Sequence, residues 1–371
     1  MANLSNFSSF SRTALKAVGR MDAPLLGATL LLLATSLINL YGIGDHARQL
    51  FDRQIILIGI GLIAMIGFSF FNYRYLKNHS MPATIIYLVM CGLLLLTLLN
   101  TSIRGSRAWI VFGGFTFEPS ELTKLAFIIL MAKYFSQRHI HINEFRHVVI
   151  SGIYLAIPTS IILLQPDLGS AIMLGLIWAG MLLTAGINRR HLFLLVIIAV
   201  LIAYTGWAVA LKPYQQERLA AFLDPYHDPT GVGYNIIQSK VAIGSGHWLG
   251  KGFGQGTQAR LGFLPESQND FAFAAWAEQF GLVGIAVLLG AVALTLYRIS
   301  RIGERSGNNF SKLFSVGIII FIASHAVINA GVNTGLVPVT GIPFPLLSYG
   351  GSHLLSVMIG IGIMQSIKRY G

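Results

Sequence analysis

A chain of 371 residues that is 54% hydrophobic and only 11% charged, with a mean hydropathy of +0.67, is not a soluble domain, where charge runs near 25%. Its formal net charge of +12 sits in short connections between apolar runs, which suits anionic headgroups and topology control and speaks against a nucleic-acid partner. The one cysteine, Cys91, lies inside an apolar run, so no intrachain disulfide framework exists.

The chain reads as an all-α polytopic membrane protein with ten transmembrane helices and a large extracytoplasmic loop, residues 214–270. Each candidate span has the roughly 17–25 residues a bilayer requires. They fall near 23–42, 54–72, 82–100, 119–135, 148–164, 168–186, 191–211, 271–297, 313–336 and 350–367. The first, from Pro24 to Leu40, is longer than a signal-peptide core and lacks a small-residue cleavage site. Ten spans place both termini on one side. That side collects sixteen Lys and Arg residues against nine on the other, with Lys124 inside a span, which accounts for all 26. The positive-inside rule therefore puts the termini in the cytoplasm and the 214–270 loop outside. With no soluble domain between spans, residues 1–371 form one membrane domain.

The first three spans are Leu/Ile/Val runs with glycines suited to helix packing. Chemistry begins at Arg104-Gly-Ser-Arg107-Ala-Trp109, an interfacial turn, followed by Glu118-Pro119-Ser120-Glu121-Leu122-Thr123-Lys124. Pro119 suits the first turn of a helix, where its missing N–H costs nothing. Glu118 is an ordinary partner for the helix dipole. Glu121 and Lys124 sit deeper, where a central charge costs about 2.5–3.5 kcal/mol, and an intramembrane ionisable pair is a functional candidate by default. The loop Arg138-His139-Ile140-His141 lacks a recognisable zinc spacing and reads as a basic interfacial loop. Pro158 marks a kink in the fifth span. Asp167 either caps the sixth span or serves function.

The 214–270 loop interleaves glycines with Ile236, Ile237, Val241, Trp248, Phe253, Leu261 and Phe263, and a loop of this length is usually functional. Gly246 to Gly250-Lys251 has one residue too few for a Walker A loop, and the G-x-G-x-x-G spacing fails, so ATP binding is unsupported. The glycines permit close backbone approach to a ligand, with Lys240, Lys251 and Arg260 available for phosphate. Tyr234, Ile237, Val241 and Gly244 share one face of a short helix at the membrane surface. Beyond the ninth span, three prolines between Val337 and Leu346 exclude a helix interior. A non-helical segment at that depth must be buried in protein or line a cavity.

That proline segment, together with Arg107-Ala-Trp109, Pro119-Ser120-Glu121-x-x-Lys124, Gln165-Pro166-Asp167-Leu168-Gly169, Tyr214-Gln215-x-x-Arg218, Gly233-Tyr234-x-x-x-Gln238-Ser239, Phe263-Leu264-Pro265-Glu266-x-x-x-Asp270-Phe271 and Leu347-Ser348-Tyr349-Gly350-Gly351-Ser352, resembles the SEDS family (shape, elongation, division and sporulation). The Leu223-Asp224-Pro225-x-x-Asp228-Pro229 wording is closer to its RodA, rod-shape branch than to its FtsW, division branch. His353 departs from the family pattern, which has a small residue there.

The resemblance implies a peptidoglycan glycosyltransferase of the bacterial cytoplasmic (inner) membrane. Such an enzyme polymerises lipid II at the outer face during cell elongation, with undecaprenyl pyrophosphate as leaving group. It implies a class B penicillin-binding protein and other elongation-complex membrane proteins as partners. It also implies Asp270 as the catalytic base, with Arg107, Glu121, Lys124, Asp167, Arg218, Lys240 and Ser348 binding substrate. The residues suit that chemistry: sugar transfer needs a base for the acceptor hydroxyl and positive charge on the departing pyrophosphate. No metal site is expected in the chain itself, though a divalent cation could accompany the pyrophosphate. Two other classes fit a ten-span chain with intramembrane charges, a lipid-precursor flippase and a non-catalytic scaffold. A transporter needs polar residues on both sides of its path, whereas these cluster outside; a scaffold has no need of Glu121, Lys124 and Asp270 together.

Overall fold

The computed structural model describes residues 21–371 apart from 45–46, 101–105, 113–114, 139–143, 189, 192, 198–200, 202–216, 218–219 and 232. Most of the span expected at 191–211, with Tyr214, Gln215 and Arg218, therefore lies outside the described residues. The rest is mostly helical. In chain order the helices are α1 (Ala23–Ile43), α2 (Arg48–Phe70), α3 (Arg74–Asn78), α4 (Ser80–Thr97), α5 (Pro119–Arg138), α6 (Phe145–Leu164) and α7 (Leu168–Ala185). There follow α8 (Tyr234–Ser245), α9 (Thr257–Arg260), α10 (Ala272–Arg305), α11 (Asn309–Thr334) and α12 (Gly351–Tyr370).

Seven of these, α1, α2, α4, α6, α7, α10 and α11, are long and apolar enough to cross a membrane. Helices α5 and α12 match spans expected from sequence yet are more polar, for a physical reason. Both run through the middle of the bundle, where their polar side chains meet protein and not lipid. On α5, Glu121, Lys124 and Lys133 are buried; on α12, Ser352, His353, Ser356, Gln365 and Ser366 are buried. The outer helices show the converse, with Ile63 73% and Met81 74% exposed, as lipid-facing side chains are when no lipid is present. Close helix approach relies on small residues. A Cβ at Gly61 of α2 would stand 2.5 Å from Leu354 of α12, and one at Gly362 of α12 only 2.6 Å from the Met65 carbonyl.

Two departures from a purely helical reading have local causes. Strands β1 (Ile110–Phe112) and β2 (Phe115–Phe117) pair antiparallel, Ile110 opposite Phe117 and Phe112 opposite Phe115. The stretch after Trp109 thus forms a two-stranded antiparallel pair, built of β-branched and aromatic residues. Helix α2 starts at Arg48, not near 54, and α10 extends to Arg305, well past 297. The polar turns at those ends stay helical outside the apolar stretch, so hydropathy places the boundaries short.

At one end of the bundle, Asp22 ties three helices together. Its carboxylate accepts from Arg298 Nε at 2.9 Å on α10, and its backbone N–H donates to Gln365 Oε1 at 2.7 Å on α12. The same carboxylate caps α1 through the Leu25 N–H. Burial pushes the Asp22 carboxyl up, but the Arg298 hydrogen bond and charge, with the Leu25 N–H, hold it below its ordinary range. The opposite end carries α8, α9, the proline segment and Asp270.

Candidate active site

The segment from 264 to 271 leads into α10, and Asp270 stands just before the helix. The N-cap is Phe271, and the Ala272 N–H reaches back to the Asn269 carbonyl. Asp270 therefore stands one residue ahead of the N-cap of α10. Its backbone is gripped from α11, where Asn329 and Asn333 lie one turn apart. Asn329 Nδ2 donates to the Asp270 carbonyl at 2.9 Å and to the Ile342 carbonyl at 2.8 Å. Asn333 Nδ2 donates to the same Asp270 carbonyl at 2.8 Å, while its Oδ1 accepts from the Ala274 N–H at 2.9 Å. Each asparagine satisfies backbone groups that the break before α10 leaves without helical partners.

The proline segment completes the frame. Ser348 Oγ donates to the Asn269 carbonyl at 2.7 Å and accepts from the Phe344 N–H at 2.9 Å, and the Tyr349 N–H donates to the Gln268 carbonyl at 2.8 Å. Ser348 thus holds the loop that carries Asp270. Gly341, at φ +72°, brings the segment past the aspartate: a Cβ there would lie 3.9 Å from Asp270 Oδ2. On its other side the segment presses on the head of α7, where a Cβ at Gly169 would come within 2.6 Å of the Thr340 carbonyl. The segment is buried in protein along Phe344 to Ser348, as non-helical backbone at this depth must be.

Asp167 caps α7, accepting from the Ser170 N–H at 3.0 Å, so the capping alternative holds for its Oδ1. Nearby, the Arg107 N–H and Ser106 Oγ both bond the Gln165 carbonyl, at 3.3 and 2.7 Å. This leaves the exposed Arg107 side chain at the same end as Asp167, its guanidinium reaching the Leu98 carbonyl at 3.4 Å. Glu121 and Lys124 pair as their i,i+3 spacing indicates, Nζ to Oε1 at 2.7 Å. They are 3% and 1% exposed. Lys124 therefore does not stand open to a headgroup-level ligand, and its reach to the site is through neighbours. The second Glu121 oxygen accepts from His353 Nδ1 at 2.9 Å, and the Glu121 carbonyl from Ser356 Oγ at 2.9 Å.

Some of the loop glycines let the loop pack on α10. Helix α10 is broken at Gly281, at φ +60°, and the loop backbone fills the break. Lys251 and Gly252 donate to the Glu278 and Gln279 carbonyls at 2.9 and 3.1 Å, and His247 and Trp248 accept from the Leu282 and Val283 N–H groups at 3.0 and 3.1 Å. A Cβ at Gly250 would sit 2.0 Å from the Gln279 carbonyl. At Gly246 and Gly250 the close approach is to this protein's own helix. Helix α8 forms where expected, but it packs through Ile236, Ser239 and Ala242, leaving the Tyr234/Ile237/Val241/Gly244 face outward. Lys240 is exposed and lies over the C-terminal end of α11, its ammonium 2.6 Å from where a Gly335 Cβ would be.

Lys251 is committed elsewhere. Its ammonium donates to Glu278 Oε1 at 2.8 Å and to Thr257 Oγ1 at 2.7 Å. Glu278, fully buried, also accepts from Thr257 Oγ1 and from the Gln258 and Ala259 N–H groups at 3.2, 3.0 and 3.2 Å. An acid inside an apolar run thereby anchors the loop, a role hydropathy hides. Glu278→Gln leaves the Lys251 ammonium unpaired and turns an amide N–H₂ toward donors, a loss on the order of 2–3 kcal/mol. Amide exchange over 251–260 should accelerate, and the detergent unfolding midpoint should fall. Unchanged protection there would show that Glu278 does not hold the loop.

Among the described residues, the one group of three metal-ligating side chains that meet is Glu121, His325 and His353, which does not include Asp270. Two open clefts lie at the opposite end, one lined by Lys77, Lys133 and Asn309 and the other by Asp22, Arg298 and Lys368. Neither contains a residue expected to bind substrate.

Residues 21–371 match the family model of the FtsW/RodA/SpoVE cell cycle proteins. The peptidoglycan glycosyltransferase MrdB of Escherichia coli K12 is 33% identical over 350 residues, covering 94% of each chain. The stage V sporulation protein E of Bacillus subtilis is 35% identical over 358 residues, covering 94% of this chain and 97% of that one. A chain from a solved peptidoglycan synthase complex that coordinates polymerization and crosslinking superposes with a TM-score of 0.80 at 30% identity, over 94% of this chain and 98% of its own. The rod shape determining protein RodA of Thermus thermophilus gives 0.70 at 27% identity, over 94% and 97%. With its model spanning nearly the whole sequence and relatives above 30% identity at full length, the chain belongs to the FtsW/RodA/SpoVE family.

Proposed function

We propose that this protein is a peptidoglycan glycosyltransferase that polymerises lipid II at the outer face of the inner membrane, with Asp270 as the base for the acceptor sugar hydroxyl. The observation that carries the reading is the placement of Asp270. Two asparagines and Ser348 hold its loop, and it lies outside any helix, against a glycine of a rigid segment. An aspartate whose backbone is fixed from two sides, one residue ahead of the helix cap, suits a reacting group. Relatives named for the same activity support it. Transfer to an anomeric carbon passes through an oxocarbenium-like state. One carboxylate beside the acceptor suffices, because pyrophosphate departs without a strong acid. Arg107 and Lys240, both exposed at this end, are the cations we assign to the departing pyrophosphate, with Arg218 a third candidate outside the described residues. Asp167, Glu121 and Lys124 position the heads of α7 and α5 around them.

We further propose one membrane domain of ten spans with both termini cytoplasmic and the 214–270 loop outside. The end bearing Arg74, Lys133, Arg298, Arg305 and Lys368 would then face the cytoplasm. A class B penicillin-binding protein is the partner that a polymerase of this kind requires for crosslinking. The synthase complex among the solved neighbours is consistent with one. The decisive assay is glycan formation by the purified chain from labelled lipid II with no other glycosyltransferase present. A flippase or a scaffold would make no polymer.

Topology has its own test. Leu261 is 61% exposed and Glu304 is exposed at the other end. In a Cys91→Ser background, Leu261→Cys should react with an impermeant thiol reagent on intact cells, and Glu304→Cys only after permeabilisation. Reaction of both from one side would overturn the arrangement.

A further inference from the structure

His325 of α11 and His353 of α12 stack deep in the bundle, ring centroids 4.2 Å apart, 0% and 6% exposed. Their hydrogen bonds settle the tautomers. His325 Nδ1 faces the Pro343 carbonyl at 3.2 Å, and His353 Nδ1 faces Glu121 Oε2 at 2.9 Å. Both partners only accept, so each Nδ1 carries the proton and each Nε2 keeps its lone pair. Both Nε2 atoms are buried without any hydrogen-bond partner. Two orphaned acceptors on adjacent rings form an electron-rich pair with nothing to receive it.

We propose that the Nε2 atoms of His325 and His353 form a buried site for a transition-metal cation, with Glu121 orienting the His353 ring through its Nδ1–H. An imidazole whose Nδ1–H is held by a carboxylate or a backbone carbonyl is the arrangement that readies Nε2 for a metal, and here both rings have it. One ligand atom from each of the three residues lies within 4.8 Å of the others. Two imidazole nitrogens favour a borderline ion such as Zn²⁺ over Mg²⁺ or Ca²⁺, which take oxygen ligands. The Lys124 ammonium, on the other Glu121 oxygen, opposes a cation and sets how tightly it is held. This site is independent of the polymerase reading, since it rests on side chains that need not touch substrate.

The test uses the full chain in detergent, stripped with chelator and given Co²⁺ alone. A single Co²⁺ per chain should bind, with d–d absorption of nitrogen–oxygen coordination, and Zn²⁺ should displace it where Mg²⁺ does not. His353→Ala and His325→Gln should each weaken binding by roughly 10–100-fold or more, and Lys124→Met should tighten it. A measurement needing no variant guards against misfolding: X-ray absorption of the Zn²⁺-loaded protein should show two imidazole ligands. Absence of stoichiometric Co²⁺, equal retention by both histidine variants, displacement by Mg²⁺, or a zinc shell without imidazole would each overturn the site.

Discussion

Asp270→Asn should give no detectable glycan polymer from lipid II, while the protein inserts, purifies and unfolds as the unsubstituted chain does. General-base catalysis is worth about 10²–10⁴-fold, so the expected loss is about two to four orders of magnitude, below detection in an ordinary polymer assay. The substitution is nearly isosteric, and the groups that hold residue 270 grip its backbone. Asn329 and Asn333 both bond the carbonyl, and Ser348 bonds the carbonyl one residue earlier. None of these contacts depends on the side chain. Because the N-cap of α10 is Phe271, the helix start does not depend on the aspartate either. A structural role would leave activity near normal with the amide in place, since asparagine matches aspartate in size and retains an acceptor oxygen. Substantial polymer from the variant would remove Asp270 from the reaction. Asn333→Ala offers a graded companion. It should lower activity and stability together, because it removes one of the two bonds to the Asp270 carbonyl and the acceptor of the Ala274 N–H at once.

Those two asparagines mark where a sequence stops being readable. The bundle itself was legible because lipid imposes a coarse rule, apolar length, that the lipid-facing spans satisfy alone. Asn329 and Asn333 obey no such local rule: inside an apolar run they are just tolerated polar residues until their carbonyl partners come from 59 and 63 positions away. Glu278 is the same case, an acid whose four donors all arrive from the preceding loop. Short-range features fared better. The Glu121–Lys124 pair, the Asp167 cap and the α8 helix each depend on residues within a turn or two, and each stands where local spacing indicates. The glycines of 244–256 were legible as sites of close approach but not as to what approaches, since the break in α10 at Gly281 has no apolar or polar signature. Likewise His353 showed as a departure from the family pattern, while its bond to Glu121 spans 232 positions.

Lys124→Met carries the other large effect, and the structure makes it a two-part experiment. The ammonium is 1% exposed and bonded to Glu121 at 2.7 Å. Removing it leaves a buried carboxylate with His353 as its remaining side-chain partner. Breaking such a pair from one side typically costs about 3–5 kcal/mol, whereas replacing both members with apolar or neutral groups is often neutral. The single variant should therefore lose stability and make no polymer, a result that cannot by itself separate structure from function. The double variant Glu121→Gln with Lys124→Met separates them. Its unfolding midpoint in detergent should recover most of the loss, since no isolated charge remains. Its polymerisation should stay abolished if the pair positions the head of α5 electrostatically for the substrate. The pair sits one turn into α5 from Ser120, whose Oγ lies 3.3 Å from Ser170 Oγ on the α7 turn that Asp167 caps, so a charge held here is felt at that end. Recovery of polymer along with stability would make Glu121–Lys124 a structural ion pair, and the case for its part in the reaction would end there.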